Sequence, residues 1–153
     1  MVILGIDPGT TRIGFGVIRS ERSKLTSIAY GLFSQVSPAG VIDEINKISE
    51  KYRPDMAAVE KLFFFKNQKT IISVGEMRGV IMAALAINSI PVKEFTPLQV
   101  KQAVSSYGRA GKDQVQKMVR LILSIKDPIQ SDDAADGLAI AICCANNILP
   151  TNY

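Results

Sequence analysis

Residues 2–9 read VILGIDPG: an apolar run, a carboxylate, and then the turn pair Pro8-Gly9. A short apolar run closed by a turn signal reads as a β-strand, so residues 2–7 deliver Asp7 at a strand's C-terminal end. Residues 12–19 and 24–35 continue as two more strands, with the polar segment 20–23 (SERS) as their connection. Three strands joined this closely form an antiparallel meander. Ser37-Pro38-Ala39-Gly40 breaks the pattern, and residues 41–52 place Ile42, Ile45 and Ile48 at helical spacing among charges, which predicts an amphipathic helix. After Arg53-Pro54, residues 55–60 (DMAAVE) read as a fourth strand, and this one also ends on an acid, Glu60.

Residues 69–89 predict a long helix whose second half, 79–87, is apolar on every face. Such a helix needs cover on more than one side, which its own sheet and a second subunit can supply. Residues 90–95 form a fifth strand. Thr96-Pro97-Leu98-Gln99 combines an N-cap threonine, a proline at the first helical position and a glutamine three residues after the cap, so a helix starts there. Gly108 to Gly111 breaks it, and residues 112–124 form another helix with Val115, Met118, Val119 and Ile122 inward. After Pro128, Ser131 or Asp132 caps a last helix that reaches about Ile148. The order predicts an α/β fold with a mixed five-stranded sheet flanked by helices.

The 153 residues fit one domain. Cys143 and Cys144 are adjacent in an apolar run, a spacing that suits neither an ordinary disulfide nor a zinc site, so they read as core residues in a reducing compartment. The N-terminus lacks the basic flank and cleavage site of a signal peptide, which leads to the expectation of a cytoplasmic protein. Residues 137–150, taken as the longest uncharged apolar stretch, fall short of the roughly 20 residues that span a bilayer, and no membrane insertion is expected. Net charge is +4, and from Lys61 to Lys126 eleven basic residues face three acidic ones. A basic middle on a neutral-to-acidic remainder suits a polyanion on one face, and equally suits scattered solvated lysines.

Four acids occupy positions where chemistry is commonly mounted: Asp7 and Glu60 at strand ends, and Asp133 and Asp136 at a helix start with a spacing that shares one face. Taken singly, Asp7 is a turn former, Glu60 an exposed strand end, and the helix pair acids that complement the macrodipole. Taken together they are the hard oxygen donors that Mg²⁺-dependent phosphodiester cleavage requires. Histidine is absent, so catalysis rests on carboxylates, metal or lysine.

GIDPGTTRIGFGVI at residues 5–18, VEKLFFFKN at 59–67 and DDAADGLAIAI at 132–142 resemble the RuvC family of Holliday-junction resolvases. The likeness continues through GEMRGV (75–80), QVKQA (99–103) and GKDQVQKMV (111–119), and weakens over residues 19–52. The resemblance implies a ribonuclease H-like fold and a homodimer that nicks opposed strands of a four-way DNA junction with Mg²⁺ or Mn²⁺, two ions per site. Branch-migration motor proteins would work alongside it. By the same resemblance Asp7, Glu60, Asp133 and Asp136 are the catalytic metal ligands. Lys101 and Lys112 fall where the family places basic side chains near the scissile phosphate, and Phe63 matches an aromatic that contacts bases at the crossover. Read locally, each lysine is also an ordinary solvated helix residue, and Phe63 also suits a core. Asp132 adds an acid where relatives have a small or neutral residue, and reads as the helix cap. GIDPGTT is also similar to the first phosphate loop of the actin type, but that machinery closes two lobes around a nucleotide, and this chain is too short for a second lobe. A catalytically silent junction binder is the other alternative, and the intact set of four acids speaks against it.

Overall fold

The computed structural model describes residues 1–22, 24–62, 68–105 and 111–148. In chain order the elements are β1 (Val2–Asp7), β2 (Gly14–Glu21), β3 (Lys24–Leu32), α1 (Pro38–Tyr52), β4 (Met56–Glu60), α2 (Gln68–Ile87), β5 (Val92–Phe95), α3 (Pro97–Ser105), α4 (Lys112–Leu123) and α5 (Asp132–Asn146). The strands form one sheet in the order β3-β2-β1-β4-β5. β1 pairs antiparallel with β2 and parallel with β4, so the sheet is mixed as expected. Ile3, Leu4 and Ile6 are inaccessible to solvent, as a central strand covered on both faces requires.

Helices cover both faces. Leu4, Ile6, Val17, Ala57 and Val59 pack with Val41, Ile45, Ile81 and Leu85 of α1 and α2. On the other face Ile3, Ile18, Ala58 and Phe95 pack with the inward residues of α3, α4 and α5. The last helix is the most deeply set, with Gly137 to Ala145 all buried. Cys143 and Cys144 lie there as free thiols, and burial pushes them up to about 12 and about 11, which leaves them inert packing residues.

Several boundaries differ from the sequence reading, each for a physical reason. β2 begins at Gly14 rather than at residue 12, because the hairpin register closes on the Asp7–Gly14 pair and leaves residues 8–13 as the connection. β3 stops at Leu32, the partner of Gly14, since β2 offers nothing further to pair with. The segment read as a break at Ser37-Pro38 is the start of α1: the Ser37 hydroxyl accepts the Gly40 N–H at 3.1 Å, and proline fills the first helical position, where its missing N–H costs nothing. The Thr96 cap is as expected, with Thr96 and Gln99 exchanging bonds of 2.8 and 3.2 Å.

Within this chain α2 is covered on the side that faces its own sheet. Ile81, Ala84 and Leu85 are buried, but Ile72 and Ile87 stand 70% and 73% exposed. Among the described residues, Thr70–Ile87 is a helical stretch long and apolar enough to cross a bilayer by length and composition. It carries Glu76 and Arg78 at its middle, and Arg78 is ion-paired to the sheet.

Candidate active site

The parallel register of β1 and β4 sets Ile6 beside Val59, so the next residues, Asp7 and Glu60, end their strands side by side. The start of α5 is brought to the same edge by glycine. A Cβ on Gly16 would lie 2.6 Å from the Leu138 Cα, and one on Gly14 would collide with the carbonyl oxygen of Asp133. With hydrogens there instead, α5 rests directly on β2 and its two acids reach Asp7. Carboxylate oxygens of Asp7, Asp133 and Asp136 lie within 4.8 Å of one another. Glu60 stands outside that tight group but lines the same pocket of about 140 Å³, together with Asp7, Asp136, Lys101 and Lys112.

Crowding like charges in a half-buried cleft disfavours their ionisation. Burial first, then Glu60, Asp136 and Asp133, raise the Asp7 carboxyl to about 8 against the opposing pull of Lys112. Burial and Asp136 raise Glu60 to about 7, with Lys101 pulling the other way. Asp136 is also raised, chiefly by burial, while Lys112 opposes. Three neighbouring hard-oxygen donors whose ionisation is disfavoured are a site short of positive charge. A divalent cation supplies that charge and takes oxygen ligands, so the donor set fits a divalent-metal site.

Two exposed ion pairs cross the rim. Arg12 Nε lies 3.2 Å from Asp133 Oδ2, and Lys112 Nζ lies 3.6 Å from Asp132 Oδ2. Asp132 is therefore not the cap of α5. Ser131 is, its hydroxyl accepting the Ala134 N–H at 3.5 Å, because the residue before the first helical position has the extended backbone that capping requires. Phe63 lies outside the described residues.

Two arginines that the sequence reading passed over touch the site's acids. Arg12 holds Asp133, and Arg78 donates from Nε to the backbone carbonyl of Glu60 at 3.3 Å. A signal existed for Arg78: a lone cation in the middle of an apolar helix has to find a partner. None marked Arg12, whose loop position suits any polar residue.

A mixed five-stranded sheet flanked by helices, with acids gathered at the ends of its central strands, defines a nuclease domain of the ribonuclease H-like class. The family described as "Crossover junction endodeoxyribonuclease RuvC" matches residues 3–144. A curated relative of that description from Petrotoga mobilis is 45% identical over 95% of this chain and 94% of its own length. One from Syntrophomonas wolfei is 47% identical over 94% of this chain and 87% of its own. Among solved structures, the Thermus thermophilus RuvC in complex with a Holliday junction substrate superposes with a TM-score of 0.89 at 31% identity, covering 97% of this chain and 94% of that one. The fowlpox virus resolvase in complex with its junction, at 15% identity and a TM-score of 0.62 over 95% of this chain and 99% of that one, shares the fold. The chain belongs to the RuvC family of crossover junction endodeoxyribonucleases.

Proposed function

We propose that the protein resolves four-way DNA junctions by paired, symmetrical, metal-dependent phosphodiester cleavage, with Asp7, Glu60, Asp133 and Asp136 as its catalytic metal ligands. The observation that carries this is the meeting of three of these carboxylates within 4.8 Å, at a pocket that Glu60 shares with two lysines. Mg²⁺ is the proposed ion, with Mn²⁺ able to replace it, and four acids suit two ions per site. When bound, the metal would neutralise the acids and polarise the scissile phosphate for attack by water.

The chain's own residues do the rest. Asp7 and Glu60, whose ionisation is disfavoured by burial and neighbouring acids, would hold the cation as carboxylates and would give up their protons to do so. Asp133, paired with Arg12 here, would hold the cation as well, and the Arg12 guanidinium at the rim would then be available to a backbone phosphate. Lys101 and Lys112, on the pocket's other wall, meet the phosphates flanking the cut, where cations position the strand without reading its sequence. Phe63 completes the proposal by stacking on a base at the crossover, a contact worth ~1–3 kcal/mol.

Symmetrical nicking needs two sites, and α2 offers the surface for a homodimer. Ile72, Gly79, Ala83 and Ile87 are exposed at helical spacing, and a Cβ on Gly79 would meet nothing within 4 Å. The small Gly79 and Ala83 let a second copy's helix approach closely at that point, with Glu76 one turn before them on the same face, and burial there removes Ile72 and Ile87 from water. The working compartment proposed is the cytoplasm.

The test is incubation of the protein with a synthetic four-way junction, a linear duplex and an RNA–DNA hybrid, with and without Mg²⁺. Paired nicks at symmetrical positions in the junction alone, and only with metal, are expected. Cleavage of the duplex or the hybrid at a comparable rate would overturn the assignment of substrate.

A further inference from the structure

The described surface offers an apolar stripe on β3, a basic ridge at the end of α4, and one buried polar contact at the back of the catalytic edge. The last is the one with defined chemistry. Arg78 sits on the buried side of α2, with Ile81 and Leu85 one and two turns along. Its side chain is 19% exposed and makes two directed contacts: NH2 to Glu94 Oε1 at 2.7 Å, and Nε to the Glu60 carbonyl oxygen at 3.3 Å. Glu94 lies on β5 beside Val59, so the guanidinium bridges the ends of β4 and β5 from the face opposite the acid cluster. The β4 end has one further tether, the bond from Lys61 N–H to the Phe95 carbonyl at 2.8 Å.

Glu60 needs this more than the other three acids do. It is the last residue of its strand, and its carboxylate stands apart from the tight group formed by Asp7, Asp133 and Asp136. A displacement of the strand end at Glu60 would carry its carboxylate out of the pocket. We infer that Arg78 is a positioning residue for Glu60, its planar guanidinium held by Glu94 and fixing the Glu60 backbone so that the carboxylate faces the metal site. A guanidinium can hold both partners because its donors are set in a rigid fork, whereas a lysine ammonium can keep the charge pair with Glu94 but not the second, directed bond.

The inference rests on the proposal that Glu60 is a metal ligand, and the experiment separates the two. Mn²⁺ binding to the full-length protein, followed by the electron paramagnetic resonance of the free ion, is compared for wild type, Arg78→Lys, Glu94→Gln, Glu60→Gln and the Glu60→Gln/Arg78→Lys double variant. Arg78→Lys is expected to weaken Mn²⁺ binding roughly tenfold, the usual scale for a group that orients a ligand, with junction binding in EDTA and the melting temperature unchanged. Glu94→Gln should follow it in direction. In the Glu60→Gln background the lysine should have no further effect, because it acts through that carboxylate. Wild-type Mn²⁺ binding by Arg78→Lys, or an equal loss in both backgrounds, would overturn the inference. Wild-type Mn²⁺ binding by Glu60→Gln would instead overturn the assignment of Glu60 as a ligand.

Discussion

Replacing Asp7 by Asn should stabilise the metal-free protein and abolish its cleavage of junctions at the same time. The carboxyl moves from its ordinary 3.8 to about 8 on folding, because burial and three neighbouring acids disfavour its charge. A carboxyl raised in this way binds more protons folded than unfolded throughout that window, so its charge destabilises the fold increasingly as pH rises from about 4 to about 8. At ~1.4 kcal/mol per pH unit the displacement corresponds to an upper bound of roughly 6 kcal/mol. The pocket is open to water and counter-ions, which screen the repulsion, so the expected gain from Asp7→Asn in alkaline solution is about 2 kcal/mol. For a domain of this length that raises the melting temperature by about 4–8 °C. The gain should vanish below pH ~4, where the wild-type residue is protonated in both states, and grow as pH rises above it.

Saturating Mg²⁺ should reverse the order of stability. A cation at a hundred times its dissociation constant stabilises the wild type by about 2.7 kcal/mol, and Asp7→Asn lacks a donor for it. Melting curves in EDTA and in Mg²⁺ across this pH range, with a junction-cleavage assay beside them, make the measurement. A variant that is less stable than wild type in EDTA at high pH, or whose gain does not change with pH, would refute the charge-crowding argument.

Three other perturbations test separate parts of the structure. Gly14→Ala forces its methyl group against the Asp133 backbone, so α5 must lift from β2; a loss of about 3 kcal/mol in urea unfolding is expected, with cleavage reduced further than stability explains. Gly79→Arg places a charge where a Cβ meets open space, so the chain should fold normally but give monomer mass in light scattering, with paired nicking lost. Arg12→Gln removes the cation that competes for Asp133, and calorimetry should show Mg²⁺ binding unchanged or up to about fivefold tighter, as suits an exposed pair; weaker binding would mean that Arg12 orients the acid rather than occupying it.

What could be read from the sequence was what the chain states locally. The Thr96–Gln99 box announces α3 within four residues, and the strand-then-turn pattern at Asp7 and the apolar run into Glu60 place two acids at strand ends. Ser37-Pro38 was local too, yet it was misread, because proline after serine marks both a break and a helix start, and only the extended backbone of Ser37 distinguishes them. The ribonuclease H-like fold and the family came from motifs spread along the chain. The closeness of α5 to β2 could not be seen, because Gly14 and Asp133 are far apart in sequence and neither carries a sign of the other. Arg78 and Glu94 are likewise a helix apart.

These nonlocal contacts decide how the four acids differ. Asp7 and Glu60 are adjacent by strand register, which the sheet's ladder sets, and Arg78 bonds the Glu60 carbonyl at the end of β4. Asp133 and Asp136 reach the site only because a helix lies on glycine, so their distance from Asp7 depends on a close packing contact rather than on hydrogen bonds. Asp133 also has an alternative partner in Arg12, while Asp136 has no ion pair among the described residues. A mutation that loosens α5 should therefore lose the helix acids first and leave Asp7 and Glu60 facing each other. Such a variant would retain weak metal binding at the strand ends with cleavage abolished, whereas a defect at β4 would spare the tight cluster and weaken only the contribution of Glu60.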